Sequence, residues 1–206
     1  MTRPALPEDI TVRTLSGADL EAALDAVAQL RITVFRDWPY LYDGTLEYER
    51  DYLQTYRDSP SALLVGAFDG GRLIGASTST PMEDHAEAFA APLARLGLPL
   101  TDILYGAESV LLPPYRGIGL GHRFIDAREA HARVMGRHHV AFCSVQRAPD
   151  HPRRPAAART NDAFWHGRGY APMPGVMAQF AWKDLGEDHE TTKDLQFWMR
   201  KLPESP

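Results

Sequence analysis

The sequence predicts an α/β fold in which helices flank one mixed central sheet of about seven strands. Short apolar or alternating segments, typical of strands, are interleaved with longer segments whose apolar residues recur at helical spacing. The composition, with 44% hydrophobic and 24% charged residues, is that of an ordinary globular protein. Because the 206 residues contain neither a repeat nor a linker, we expect a single domain over residues 1–206.

The N-terminal half is predicted to contain three strands. Ser16 is the expected N-cap of the first helix, and Pro39 ends the helical pattern. Asp69-Gly70-Gly71 separates two apolar runs and indicates a hairpin. Segment 83–100 is interpreted as a helical insertion. The predicted elements are a strand at 10–15, a helix from Ser16 to Pro39, a helix at 45–57, strands at 62–68 and 72–79, and an inserted helix at 83–97.

The C-terminal half is predicted to contain four strands. The first of them runs into Pro113-Pro114 and a glycine-rich turn, after which helical spacing returns. Residues 140–145 are apolar and β-branched, as expected of a buried strand. The predicted elements are a strand at 103–112, a helix from the turn to about Met135, a strand at 140–145, a helix from about Ala157 to Trp165, and strands at 176–182 and 195–202.

Charge and cysteine content argue against several classes of protein. The formal net charge of −5 provides no general basic field for nucleic-acid phosphates. The single cysteine, Cys143, excludes an internal disulfide, and the histidines lack partners at metal-ligand spacing. No apolar stretch has the length of a signal peptide or of a bilayer span. We therefore expect a cytoplasmic protein that binds no nucleic acid, no membrane and no metal.

The turn Arg116–Gly121 is the chemically informative segment. Glycines at 117, 119 and 121 allow a ligand to approach the backbone closely. Successive N–H groups at the positive end of a helix, with the Arg116 guanidinium beside them, predict a phosphate site. A dinucleotide fingerprint would need glycine where His122 stands, and a P-loop would need Gly-Lys-Ser/Thr. The alternative is a tight strand-to-helix turn that binds nothing.

Two motifs resemble those of the GNAT superfamily of acetyl-CoA-dependent acyltransferases. The main family motif, Q/R-x-x-G-x-G/A, is matched by Arg116, Gly119 and Gly121. The second, an asparagine followed by an aromatic residue and then Gly-Phe/Tyr, is matched by Asn161, Phe164-Trp165 and Gly169-Tyr170. The order of predicted elements also resembles the family fold. The resemblance implies an N-acetyltransferase with acetyl-CoA as cosubstrate.

The resemblance also implies where the cosubstrate lies. In this family strands 4 and 5, here about 103–112 and 140–145, splay apart, and the pantetheine arm occupies the gap. By carry-over, the backbone of strand 4 lines the arm and polarises the thioester carbonyl. The implied cofactor-binding residues are Ser109, Val110, Leu111, Leu112, Arg116, Gly117, Ile118, Gly119, Leu120, Gly121, His122, Asn161 and Trp165.

An attacking amine must be neutral and therefore needs a general base. Glu108 is the first candidate because it lies on the strand that presents the thioester, with Tyr105 and Asp102 in reserve. The alternative for Glu108 is a structural carboxylate that hydrogen-bonds across the splayed strands. Many family members protonate the leaving thiolate with a tyrosine where this chain has Trp165. Water, Ser144 or another tyrosine must then act, or the thiolate leaves unassisted.

The acceptor side carries less specific signals. Because direct attack needs no enzyme nucleophile, Cys143 is interpreted as a buried strand residue. Aromatic and acidic residues near the first two helices form either an amine-binding wall or a core stripe with a solvated face. They are Phe35, Trp38, Tyr40, Tyr42, Asp43, Glu47, Tyr48, Glu49 and Tyr52. The inserted helix is either a lid or padding.

We expect the acceptor to be a small amine. The alternatives are a protein lysine or N-terminus, or a CoA-binding sensor or scaffold without turnover. The apolar strand 195–202 is a candidate edge for a homodimer.

Overall fold

The computed structural model describes residues 5–85 and 87–203 and confirms the predicted α/β architecture. Seven strands form one mixed sheet in the order β1-β2-β3-β4-β5-β7-β6. The strands are β1 (Ile10–Leu15), β2 (Leu63–Asp69), β3 (Arg72–Pro81), β4 (Ile103–Leu111), β5 (His139–Val145), β6 (Ala171–Trp182) and β7 (Thr191–Lys201).

Helices cover both faces of the sheet. They are α1 (Gly17–Phe35), α2 (Leu46–Asp58), α3 (Glu87–Ala94), α4 (Leu120–Val134) and α5 (Asp162–Gly167). Alternate residues of β2 face opposite layers: Leu64 packs with Val27 of α1, and Val65 packs with Phe124 of α4. Within the described residues, no helix is both long and apolar enough to cross a bilayer.

Strands β4 and β5 are parallel neighbours along only part of their length. They pair at Ile103–His139, Leu104–Val140 and Tyr105–Ala141 and then separate. Beyond that point β4 stays paired with β3, and β5 stays paired with β7. One edge of each strand is thereby left without a strand partner, and a wedge opens between them. The splay that the family resemblance implied for strands 4 and 5 is present.

The helix predicted at 157–165 is shorter and begins later. Helix α5 begins at Asp162, with Asn161 as its N-cap, and residues 157–161 belong to the preceding loop. Several of those residues, including Ala157 and Arg159, are exposed to solvent. Alanine propensity alone does not stabilise so short a helix when no face of it is buried.

Strand 195–202 is not an edge strand, so that part of the dimer prediction was wrong. Strand β7 lies between β5 and β6 and is paired on both sides. Its apolar residues, such as Phe197 and Trp198, are buried within the protein. The apolar sequence therefore reflects a central strand.

The inserted segment covers one end of the sheet. Within α3, Phe89 and Leu93 are buried, and the Phe89 ring lies 5.6 Å from that of Phe180 in β6. Before α3, Glu83 forms a bidentate ion pair with Arg137, with both N–O distances 2.7 Å. The described residues of the segment thus pack against the core, and none of them lines the cleft described below.

His85, in the same segment, should make stability depend on pH. Burial lowers the pKa of its imidazole from 6.5 to about 4. Between these values the unfolded chain binds a proton that the folded protein excludes. The free energy of unfolding should therefore fall as the pH falls from 6.5 to 4, by at most about 3 kcal/mol.

Urea unfolding at pH 7 and pH 5 measures this effect. We expect a smaller fall in the free energy of unfolding for His85→Gln than for the wild type. The exposed His189→Gln serves as the control and should behave like the wild type. An equal pH dependence in wild type and His85→Gln would contradict the prediction.

Candidate functional site

A cleft of about 780 Å³ opens where β4 and β5 separate. Its walls come from the end of α1 and the loop after it, from β4, from the turn before α4, and from β5 and the loop leading to α5. The predicted site residues that line it are Glu108, Ser109, Leu111, Arg116, Gly117, Ile118, Gly119, Gly121, His122, Asn161 and Trp165. The side chains of Val110 and Leu120 are buried in the core instead, and Leu112 packs at its edge.

The turn before α4 presents a run of free backbone donors. Gly117 and Gly119 adopt φ values of 84° and 97°, in the left-handed region that favours glycine. Among the described residues, no acceptor is present for the N–H groups of the five residues from Gly117 to Gly121. These donors lie at the positive end of a 15-residue helix. Free N–H groups at a helix N-terminus are an arrangement suited to an anion.

The free edge of β4 faces the cleft. The N–H of Leu112 bonds to Ile74 of β3, so the Leu111 carbonyl on the same trans peptide points the opposite way, where Arg116 Nε donates to it at 3.1 Å. Because backbone direction alternates along a strand, Ser109 shares this free edge with Leu111. The backbone groups of these two residues can therefore pair with an extended ligand.

Glu108 lies in a buried charged cluster at one end of the cleft. Its Oε1 is 2.7 Å from Nη1 of Arg31, and its Oε2 accepts from the Tyr52 hydroxyl at 3.1 Å. Arg31 also donates to Glu49, so one guanidinium serves two carboxylates and the trio carries a formal charge of −1. Burial opposes the charge on Arg31, but the two carboxylates raise the pKa of its guanidinium well above the usual value.

The hydrogen-bond partners of Glu108 are not those expected of a structural carboxylate that bonds across the splayed strands. Its side chain bonds to helices α1 and α2, through Arg31 and Tyr52, and not across the splay to β5. Burial and the neighbouring Glu108 raise the pKa of Tyr52 well above its usual value, so this phenol remains a donor.

The two reserve candidates lie away from the cleft. Tyr105 is buried among aromatic rings, its own lying 5.4 Å from Phe89. Asp102 lies before β4, at the end where β4 and β5 are paired, and is within hydrogen-bonding distance of His138 and His139. Neither residue lines the cleft.

On the β5 side, the cleft is lined by a thiol and a hydroxyl of β5 and by a tryptophan of α5. Burial raises the pKa of the Cys143 thiol well above its usual value, which disfavours a nucleophilic thiolate. Ser144 Oγ accepts from Trp198 Nε1 at 3.1 Å. The Trp165 ring lies 5.0 Å from both Phe142 and Trp198. Asn161 is exposed, and its side chain makes no cap hydrogen bond.

An aromatic wall stands opposite β5. Of the aromatic residues proposed for the acceptor side, Phe35, Trp38 and Tyr40 line the cleft. Tyr52 lies behind it, bonded to Glu108, and Tyr42 and Tyr48 pack on each other outside it. Burial raises the pKa of Tyr40 to about 12.

Arg147 holds the loop that carries this wall. It donates to the Pro39 carbonyl at 2.9 Å and to the Tyr40 carbonyl at 2.6 Å. The same guanidinium forms a bidentate pair with Asp184, at 2.7 and 2.9 Å. A loop after α1 is thereby fixed by contacts more than 100 residues away in sequence.

Besides Arg128, four further arginines line the cleft, namely Arg116, Arg123, Arg154 and Arg159. None of the four forms an ion pair with a carboxylate of the described residues. Asp162 is the neighbouring acidic group in the lining. In a chain with a net charge of −5, this local excess of positive charge indicates a ligand with several negative charges. The described residues contain no group of three potential metal ligands.

The sequence interpretation missed three arginines, namely Arg31, Arg128 and Arg147. Arg31 and Arg128 each stand four residues after a buried residue of the same helix, Val27 and Phe124. A charged residue in an apolar stripe is the available signal, because it needs a buried partner.

A family model extends these observations to known proteins. The acetyltransferase (GNAT) family model matches residues 27–160, about two thirds of the chain. The matched region includes the glycine-rich turn before α4, both splayed strands and Glu108. The chain belongs to the GNAT acetyltransferase family. The family is one of acyltransferase enzymes, so the recognition made from two short motifs is confirmed.

Solved structures with the GNAT fold resemble the chain over nearly its whole length. One is the yncA protein of Salmonella typhimurium, solved with its cofactor acetyl-CoA. The match covers 96% of this chain and 96% of the yncA chain, at 14% sequence identity and a TM-score of 0.59. The match to ribosomal-protein-alanine N-acetyltransferase from Brucella melitensis covers 93% of this chain and 99% of that protein, at 15% identity and a TM-score of 0.61. The match to N-acetyltransferase from Staphylococcus aureus Mu50 covers 95% of this chain and 100% of that protein, at 12% identity and a TM-score of 0.58. No curated protein matches the chain in sequence.

Proposed function

We propose that this GNAT chain transfers an acetyl group from acetyl-CoA to the amine of a small molecule. The observation that carries the proposal is the run of unpaired N–H groups from Gly117 to Gly121, which opens into the wedge between β4 and β5. A diphosphate suits the first feature, and an extended arm with amide groups suits the second. Acetyl-CoA combines both.

Each part of the cosubstrate has a matching part of the cleft. The diphosphate would accept from the Gly117–Gly121 amides, with Arg116 beside them. The pantetheine arm would pair with the free edge of β4 at Ser109 and Leu111. The thioester would then lie near Glu108, at the aromatic end of the cleft.

Glu108 is the general base in this proposal. Near pH 7 roughly one alkyl amine molecule in a thousand or fewer is neutral, so the ammonium form must first give a proton to Glu108. The nitrogen lone pair then forms a C–N bond with the thioester carbon, and the carbonyl electrons move to oxygen. Their return breaks the C–S bond and expels the thiolate. The thiolate gains one proton from its donor, and the new amide nitrogen loses one, which restores that donor. Glu108 then returns its proton to solvent, so the net products are the amide, free CoA and one proton.

The proton for the thiolate does not come from Trp165, because an indole N–H donates hydrogen bonds but is not an acid in this range. Ser144 is the hydroxyl that lines this part of the cleft, and Trp198 donates to it. A water molecule held by Ser144 is the donor that these contacts favour.

A small acceptor is favoured by the aromatic lining at one end of the cleft. Phe35, Trp38 and Tyr40 form its wall, and Arg147 fixes the loop that carries two of them. The net negative charge of the Arg31, Glu49 and Glu108 cluster favours a cation.

A rate assay tests the acceptor class. The release of free CoA is measured with small aromatic and aliphatic amines, and with peptides that offer a lysine or a free N-terminus. We expect the best small amine to exceed every peptide in kcat/KM by about tenfold or more. A peptide that exceeds all small amines would replace the small-molecule acceptor with a protein one.

The four cleft arginines predict that the 3′-phosphate of CoA contributes to binding. We expect 3′-dephospho-acetyl-CoA to bind about tenfold or more weakly than acetyl-CoA, because a charge-assisted hydrogen bond to phosphate contributes about 1.5–3 kcal/mol. Replacing Arg154 and Arg159 by Gln should reduce that ratio. Equilibrium dialysis with both ligands measures it.

Arg133→Gln is the matched control, because Arg133 is exposed on α4 and lies outside the cleft. It should leave both affinities unchanged. Equal binding of the two ligands by wild-type protein would contradict a role for these arginines in phosphate recognition.

A further inference from the structure

Arg128 of α4 is a buried cation without a carboxylate partner. It is 5% exposed and lines the floor of the cleft. Among the described residues no acidic side chain forms an ion pair with it, and its Nε has no hydrogen-bond partner. Burial lowers the pKa of its guanidinium. Removing a charged group from water without an ion-pair partner costs free energy, so the position of this cation requires an explanation.

The contacts of Arg128 lie at an irregularity between β3 and β4. Thr78 pairs with Glu108 and Thr80 pairs with Tyr105, so two residues of β4, Gly106 and Ala107, face one of β3. Such a bulge leaves carbonyl groups without ladder partners. Arg128 Nη2 donates to the Thr78 carbonyl at 3.0 Å and also to the Glu108 carbonyl.

Gly106 allows the guanidinium to reach this position. A Cβ on Gly106 would lie 2.8 Å from Cζ of Arg128 and 2.9 Å from its Nη1. The pairing of a glycine with a buried arginine therefore places the cation directly against the β4 backbone.

The peptide between Glu108 and Ser109 links Arg128 to the cleft. In a trans peptide the carbonyl and the N–H point in opposite directions. The Glu108 carbonyl points to Arg128, so the Ser109 N–H points away from it, toward the free edge of β4. A charged donor on the carbonyl polarises the peptide and makes its N–H a stronger donor.

We infer that Arg128 is a positioning residue for acyl transfer, which orients and polarises the Glu108–Ser109 peptide so that the Ser109 N–H stabilises the oxygen of the thioester carbonyl. The inference rests on the proposed function, since that oxygen belongs to bound acetyl-CoA. Negative charge develops on it only as the amine attacks, so the contribution is greater in the transition state than in the ground state.

The test uses Arg128→Met with Arg128→Lys beside it, because lysine keeps a cation if methionine does not fold. Acetyl-CoA labelled with ¹³C at the thioester carbonyl is bound without acceptor, and the carbonyl stretching frequency is measured by infrared difference spectroscopy. For Arg128→Met we expect a higher frequency, a kcat lower by about tenfold or more, and an acetyl-CoA Kd within about threefold of wild type. Arg128→Lys should shift the frequency and kcat in the same direction by a smaller amount.

Arg137→Met is the matched control, since Arg137 is similarly buried, bonds to backbone carbonyls and lies outside the cleft. It should lower stability without moving the carbonyl frequency. Folded Arg128 variants with wild-type frequency and kcat would overturn the inference while leaving the proposed function intact. Wild-type protein that does not bind acetyl-CoA would overturn the proposed function, and this inference with it.

Discussion

Replacing Gly119 by tryptophan should abolish acetyl-CoA binding under ordinary assay conditions. A Cβ at this position would have no other atom within 4 Å, so an indole can enter the volume that the diphosphate needs. The variant also disturbs the free N–H groups around it. We expect Kd to rise by about 100-fold or more, which corresponds to about 2.7 kcal/mol. Equilibrium dialysis with labelled acetyl-CoA measures the change.

Gly136→Trp provides a closely matched control at the other end of α4. Gly136 has φ of 68°, and it too has open space where a Cβ would stand. Both variants therefore place tryptophan in a left-handed conformation, with a similar cost in stability of about 1–2 kcal/mol. Only Gly119 lines the cleft. Equal acetyl-CoA affinity in the two variants would exclude the turn as the phosphate site.

The second large effect is expected from Glu108→Gln. The change keeps the shape of the side chain and removes the proton acceptor, so kcat should fall by about 100-fold or more. The acetyl-CoA Kd should change little, because the predicted phosphate and pantetheine contacts involve other groups. Part of the rate should return at high pH, or near pH 7 with an acceptor of low amine pKa, because in either case the amine is neutral without help from the enzyme.

Glu49→Gln is the control that distinguishes a general-base role of Glu108 from an effect of the net charge of the Arg31 cluster. Glu49 binds the same guanidinium of Arg31 but does not line the cleft. If Glu108 is the base, Glu49→Gln should retain most of the activity that Glu108→Gln loses. Equal losses in the two variants would mean that the charged cluster matters as a whole and that Glu108 has no special role.

The parts of the protein with local signals could be predicted from the sequence. The glycines at 117 and 119 predicted a tight turn, and both adopt the left-handed conformation in a turn that lines the cleft. Strands β1 to β5 lie within about two residues of their predicted ranges, because apolar alternation and the Asp69-Gly70-Gly71 hairpin are local features, whereas β6 and β7 begin five and four residues earlier than predicted. The helix predicted at 157–165 failed because propensity was present without a face to bury.

Long-range partnerships could not be predicted in this way. Nothing in the sequence near Arg31 indicates Glu108, 77 residues away, as its partner. The same holds for Arg147, which fixes the loop around Tyr40, and for Arg128, which reaches the β4 bulge. The central position of β7 depends on the order of the strands in the sheet, and the apolar sequence of β7 does not indicate that order. The motif thus indicates a candidate site, while the buried partners of these arginines emerge only from the fold.

Titration of wild-type protein with acetyl-CoA by calorimetry tests the central claim most directly. The account predicts saturable binding at one site, with a Kd in the micromolar range typical of enzyme cosubstrates. Folded protein that binds no acetyl-CoA would contradict the account, because the free amides and the wedge between β4 and β5 would then serve some other ligand.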